Sequence, residues 1–155
     1  MFWGCFYGNT KGPGLFWKKD WGTIKEATYR AKIVLIVDGW IRLKGSQGEP
    51  LVFMQDSAPS HVAKGTIKDL EERGIICIRW PAYSPDLNPI EMVWNWMKDW
   101  IQEHYDDRLQ GYDELREAII AAWNAVPEAY LNQLLEEMPA KCQAVIDANG
   151  LHTRY

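Results

Sequence analysis

A proline-rich loop leads directly into a helix start at residues 80–94, which read WPAYSPDLNPIEMVW. Asn88 has a side chain suited to capping a helix, Pro89 suits the first helical position, and Glu91 stands at the third. We expect the helix to continue to about His104. The pattern therefore puts a carboxylate in the first turn of a helix. From spacing alone, that carboxylate could bond back to the amide of Asn88 in a capping box, or it could serve a functional site.

A second carboxylate lies upstream, in residues 53–61, which read FMQDSAPSH. Asp56 follows a short apolar run at 51–55, which we expect to be a β-strand. The carboxyl end of a strand is where α/β proteins commonly bind ligands. Taken alone, Asp56 could simply bond its own backbone in a turn, and His61 could be an ordinary first-turn or surface histidine. Thirty-four residues, 57–90, separate Asp56 from Glu91.

The amino-terminal part of the chain predicts a hairpin followed by an ambiguous segment. Residues 1–17 consist of two short apolar runs around a turn-rich stretch. Residues 23–43 contain the β-branched run IVLIV at 33–37, which favours a strand, but they also contain a helical stripe. That stripe consists of Ile24, Ala27, Ala31, Val34, Leu35 and Ile41.

The remaining pattern predicts an α/β core with a helical tail. We expect a helix at 60–73, a strand at 75–78, and only helices after Gly111. This order favours two parts, a core at 1–108 and a helical extension packed on it at 109–155.

Composition narrows the class of protein. The 155 residues carry a formal net charge of −4 and a sequence pI of about 5.4, which argues against an autonomous DNA-binding module. The three cysteines are far apart and form no C-x-x-C motif, so neither a disulfide framework nor a structural zinc site is expected. The longest apolar run is too short to span a bilayer. We expect a nuclear or cytoplasmic protein.

The two carboxylate motifs together resemble the Tc1/mariner family of DDE transposases. In that family a strand ends in D-x-A-P-x-H, and W-P-x-x-S-P-D-L-N-P-I-E-x-x-W follows, with 34 residues between the second Asp and the Glu in the Tc1-like branch. The opening MFWGCFYG at residues 1–8 also resembles the family's second strand. The similarity covers about residues 1–105, and its length and spacing make it far more specific than a single short motif.

The resemblance implies a fold, a chemistry and a set of residues. The fold would be ribonuclease H-like, a mixed sheet flanked by helices, which makes 23–43 a helix. The ancestral reaction would be DNA strand cleavage and strand transfer with two Mg²⁺ or Mn²⁺ ions. By analogy, Asp56 and Glu91 would be catalytic metal ligands, with His61 and Asn88 in supporting roles. The partners would be DNA, as transposon ends and target, with weak binding by this chain and self-association as a further expectation.

The sequence departs from the family pattern at one point. The family's first catalytic Asp lies on a first strand that nothing here matches, because Asp20 and Asp38 both follow the strand that resembles the second. The resemblance therefore assigns only two of the family's three catalytic carboxylates, Asp56 and Glu91. We expect this chain alone to be inactive. The alternative is a non-enzymatic, transposon-derived module for nucleic-acid binding or oligomerisation.

Overall fold

The computed structural model describes residues 1–81, 84–105 and 111–151. These residues divide into two compact units. The first contains Met1–Gly4 and Gly12–Ser84, and the second contains Cys5–Lys11 and Pro85–Tyr155. The predicted division into a core at 1–108 and a helical extension stays a prediction.

The chain opens with the predicted hairpin. Strand β1 spans Phe2–Tyr7 and strand β2 spans Thr10–Phe16, and the two pair in a two-stranded sheet. The connection turns at Gly8, whose φ of 55° lies in the left-handed region that glycine adopts without strain. A hydrogen bond of 2.9 Å from the amide of Trp17 to the carbonyl of Met1 continues the pairing past β2.

The ambiguous segment is helical, as the family resemblance implied. Helix α1 covers Glu26–Tyr29, a π-helical turn covers Arg30–Val34, and helix α2 covers Leu35–Ser46. The core face contains Tyr29, Ile33, Val34 and Val37, which are at most 2% exposed. The stripe predicted from the sequence is wrong at four of its six residues, which are exposed: Ile24, Ala27, Ala31 and Leu35. A π turn holds an extra residue, so the π turn shifts which residues face the core relative to a regular helix.

A short strand–helix–strand unit completes the first compact unit. Strands β3 (Phe53–Met54) and β4 (Cys77–Ile78) run parallel, with Phe53 opposite Cys77. Helix α3 (Lys64–Glu72) connects them, and Gly74, with a φ of 71°, ends it as predicted. Both strands are shorter than the sequence suggested. In the described residues the four strands form two separate pairs.

The second unit is mainly helical. The helices are α4 (Pro89–Tyr105), α5 (Tyr112–Ala125), α6 (Glu128–Glu136) and α7 (Met138–Asp147). The predicted helix start at Pro89 is confirmed. Helices α4 and α5 meet through Trp94 and Trp123, whose ring centroids lie 5.7 Å apart. In the described part of the chain, no helix has the length and apolar content needed to cross a membrane.

An ion-pair network ties the helices of the first unit together. Asp69 on α3 accepts hydrogen bonds from Arg30 at 3.0 Å and from Arg73 at 2.8 Å. Arg73 also donates to Asp38 on α2 at 2.9 Å, and Asp38 accepts a 2.7 Å bond from Arg42. Burial alone would raise the pKa of Asp69. The hydrogen bonds and charges of the two guanidinium groups outweigh that effect and hold the pKa below its ordinary value.

This network predicts that Asp69→Asn destabilises the fold in a pH-dependent way. The variant keeps the side-chain size but removes the charge, so at pH 7 we expect the free energy of unfolding to fall by about 2 kcal/mol. Because the folded-state pKa is lowered, this contribution is present above the unfolded pKa of about 4 and is lost as the pH falls through the folded value. Urea denaturation at several pH values measures it.

The matched control is Glu72→Gln, since Glu72 pairs with Lys68 at the surface and its side chain is 62% exposed. We expect little change there, because exposed ion pairs contribute less than about 1 kcal/mol. A stability difference between Asp69→Asn and the parent that grows on acidification would contradict the assignment.

Candidate functional site

Asp56 lies two residues after β3, in a tight turn that its own side chain helps to close. Its Oδ1 accepts a 3.0 Å hydrogen bond from the amide of Ala58, which is the local bond that aspartates commonly form in turns. The same Oδ1 lies 2.6 Å from Nδ1 of His61. In the described residues, Oδ2 accepts no hydrogen bond, and the side chain is 45% exposed. Oδ1 is therefore occupied by two protein groups, and Oδ2 is unengaged within the described residues.

The turn that follows Asp56 brings His61 back to it. The amides of His61 and Val62 both donate to the carbonyl of Ala58, at 2.8 and 3.1 Å. The histidine side chain is only 18% exposed. A carboxylate oxygen is an acceptor, so the short contact is best satisfied by a proton on Nδ1. The spacing D-x-A-P-x-H is thus a local device that fixes the orientation of the aspartate.

Two further residues, Tyr29 and Gln55, support this pair, and no sequence motif indicates a role for either. The ring of Tyr29 stacks against the imidazole of His61, with centroids 4.3 Å apart and planes inclined by 37°. The Tyr29 hydroxyl donates to Oε1 of Gln55 at 2.7 Å, and Nε2 of Gln55 donates to the carbonyl of His61 at 3.3 Å. Tyr29 lies outside the predicted stripe, and no motif connects it to residues about thirty positions later.

Glu91 occupies the first turn of α4, as predicted, and is half-buried. Asn88 begins the helix: its Oδ1 accepts a 3.3 Å bond from the amide of Ile90, and its carbonyl accepts a 3.0 Å bond from the amide of Glu91. The amide of Asn88 donates to the carbonyl of Pro85 at 2.9 Å. Because that amide is already bonded, the capping-box alternative for Glu91 is not realised. Within the described ranges, the Glu91 carboxylate has no hydrogen bond or ion pair.

The other acidic residues considered from the sequence do not join either group. Asp38 is bound by Arg42 and Arg73, and Asp20 and Asp86 are exposed. Over the described residues, no three His, Cys, Asp or Glu side chains converge closely enough to hold a metal ion. The structure brings Asp56 together with His61 in the first unit, and Glu91 together with Asn88 in the second.

Comparison with known proteins gives the family. A family model described as DDE superfamily endonuclease matches residues 21–116, a range that includes both Asp56 and Glu91. The chain belongs to the DDE superfamily endonucleases. This agrees with the Tc1/mariner resemblance of the two motifs, which the relatives below confirm.

The curated relatives of this DDE endonuclease chain are transposases. It is 34% identical over 160 residues to the transposable element Tcb1 transposase of Caenorhabditis briggsae, and 33% identical over 165 residues to the Tc1 transposase of Caenorhabditis elegans. Each alignment covers 100% of this chain and 54% of the relative. The chain therefore spans about half the length of these relatives.

Solved structures confirm the predicted α/β, ribonuclease H-like fold. The Mos1 transposase paired-end complex with left transposon end matches with a TM-score of 0.79 at 17% identity, covering 99% of this chain and 44% of that one. The Mos1 catalytic domain with Raltegravir and Mg matches with a TM-score of 0.71 at 18% identity, covering 85% and 66%. At this identity the similarity establishes the fold alone.

The cap of α4 predicts the effect of changing Asn88 in this DDE endonuclease chain. Asn88→Ala removes the acceptor for the amide of Ile90, so we expect the free energy of unfolding to fall by about 1 kcal/mol. Asn88→Ser keeps an oxygen at the cap and should retain most of the stability. Thermal or urea unfolding followed by circular dichroism measures both. Equal losses in the two variants would show that packing of the 6% exposed Asn88, and not its capping bond, matters.

Proposed function

We propose that this chain is part of a transposase catalytic domain and supplies two metal-ligating carboxylates, Asp56 and Glu91, for DNA strand cleavage and strand transfer. One observation carries the proposal: Asp56 uses Oδ1 for both of its protein hydrogen bonds and leaves Oδ2 unengaged in the described residues.

The donor atoms fit a hard divalent cation. Carboxylate oxygens are the ligands that Mg²⁺ and Mn²⁺ prefer, and neither ion needs a sulfur or nitrogen ligand. When bound, such ions activate an attacking oxygen and stabilise a leaving one. Solved Mos1 transposase structures are described with Mg in one case and Mn in another. Asp56 and Glu91 are the residues of this chain that we propose as ligands.

The chain's own residues would orient these carboxylates. His61 holds Oδ1 of Asp56, which restricts rotation of the carboxylate and leaves Oδ2 as the oxygen available to a metal ion. Asn88 begins α4 three residues before Glu91, so the glutamate lies at the amino-terminal end of a 17-residue helix. Neither carboxylate is bonded to a lysine or an arginine in the described residues.

DNA is the partner that we propose, by analogy with the transposase relatives and with the Mos1 complex that contains a transposon end. The net charge of −4 disfavours strong electrostatic attraction to phosphates. Weak DNA binding by this chain is therefore part of the proposal, and self-association and a nuclear or cytoplasmic location remain predictions.

We also propose that this chain alone does not cleave DNA. No residue of the sequence matches the family's first-strand aspartate, and Asp38 is held by two arginines. A fusion of this chain to the part of the Tcb1 transposase that the alignment leaves uncovered tests this proposal. We expect Mn²⁺-dependent nicking of plasmids that carry matching transposon ends by the fusion, and none by the chain alone.

Variants of the fusion test the two carboxylates. Asp56→Asn and Glu91→Gln should each lower nicking by at least about 100-fold, because each removes a metal ligand. Asp86→Asn is the matched control, since Asp86 is exposed and lies only five residues before Glu91. Full nicking by Asp56→Asn would refute the proposal. An inert fusion that still binds DNA would favour the non-enzymatic binding module.

A further inference from the structure

We propose that Tyr29 and Gln55 are positioning residues for Asp56, and that they act through His61. The inference rests on the proposed function, because it concerns how a metal-ligating carboxylate is held. It assigns roles to two residues that neither the D-x-A-P-x-H motif nor the helix-start motif contains.

Tyr29 contacts the imidazole of His61 from inside the protein. The tyrosine is 2% exposed and belongs to the core cluster that includes Ile33, Val37 and Leu70. Its ring lies 4.3 Å from the imidazole, centroid to centroid. Because the core holds Tyr29 in place, one face of the imidazole rests on a rigid surface that restricts rotation of the histidine side chain.

Gln55 joins the same tyrosine to the backbone of His61. Its Oε1 accepts the 2.7 Å hydrogen bond from the Tyr29 hydroxyl, which fixes which end of the amide faces the ring. Its Nε2 then points to the carbonyl of His61, at 3.3 Å. Gln55 directly precedes Asp56, so one side chain links the start and the end of the turn that carries the aspartate.

These contacts restrict the imidazole to an orientation in which Nδ1 points toward Oδ1 of Asp56, 2.6 Å away. If the imidazole could rotate, the aspartate would lose a donor and could present either oxygen. A metal ligand bound by an outer partner keeps a fixed orientation, and loss of such partners typically weakens metal binding by about 10- to 100-fold. Tyr29 and Gln55 would therefore influence the aspartate without touching a bound ion.

The test uses two nearly volume-conserving variants of the whole chain. Tyr29→Phe keeps the ring on the imidazole but removes the hydroxyl that orients Gln55. Gln55→Leu removes both of its hydrogen bonds at similar size. Tyr112→Phe is the matched control, because Tyr112 is 57% exposed and lies at the start of α5.

The first measurement is the ¹⁵N-resolved imidazole spectrum of His61, which reports the hydrogen-bonded Nδ1 proton without any metal. The second is the affinity for Mn²⁺ alone, from calorimetry. We expect Tyr29→Phe and Gln55→Leu each to weaken the Nδ1 proton signal through faster exchange and to lower Mn²⁺ affinity by about 10-fold. Tyr112→Phe should change neither, and Asp56→Asn should abolish the Mn²⁺ binding that we expect of the parent chain.

Each outcome decides between the two proposals. Unchanged imidazole spectra and Mn²⁺ affinities in Tyr29→Phe and Gln55→Leu overturn the positioning role. This holds even if the unfolding midpoint falls, because the two residues would then contribute to stability and not to the orientation of His61. If Asp56→Asn does not alter Mn²⁺ binding, the metal role of Asp56 in the proposed function fails. The imidazole spectra then still show whether Tyr29 and Gln55 restrict the orientation of the His61 side chain.

Discussion

The contact between Nδ1 of His61 and Oδ1 of Asp56 is the interaction on which the proposed chemistry depends. A carboxylate has two equivalent oxygens and rotates freely in water, so a fixed ligand needs a partner that distinguishes one oxygen from the other. Here the turn amide of Ala58 and the imidazole both engage Oδ1. That asymmetry gives Oδ2 a defined orientation. The conformational entropy of the side chain is lost during folding and not during metal binding.

The histidine in turn depends on the core of the first unit. Tyr29 ends α1 immediately before the π turn Arg30–Val34, and its ring supports the imidazole. The ion pair between Arg30 and Asp69 joins the π turn to α3, the helix that follows the Asp56 turn. The orientation of the half-exposed Asp56 carboxylate therefore depends, through His61, on the packing of the buried Tyr29. π turns recur at functional sites in other proteins, which fits this arrangement.

Sequence reasoning succeeded where the physical signal is local. The cap at Asn88 and the proline at the next position define a helix start within four residues, and the glycines at 8 and 74 mark turns that the backbone requires. It failed where the contact is long-range. Nothing near Tyr29 indicates His61, and four residues of the predicted helical stripe, Leu35 among them, are exposed. The helical state of 23–43 followed from the family resemblance, because local propensity favoured a strand there.

The most direct test of this account is anomalous diffraction from crystals of this chain soaked in Mn²⁺. The account predicts an anomalous peak bonded to Oδ2 of Asp56, with His61 still bonded to Oδ1 and the Tyr29 ring still stacked on the imidazole. Manganese bound through Oδ1 with His61 displaced would contradict it. So would well-occupied manganese at other carboxylates with none at Asp56.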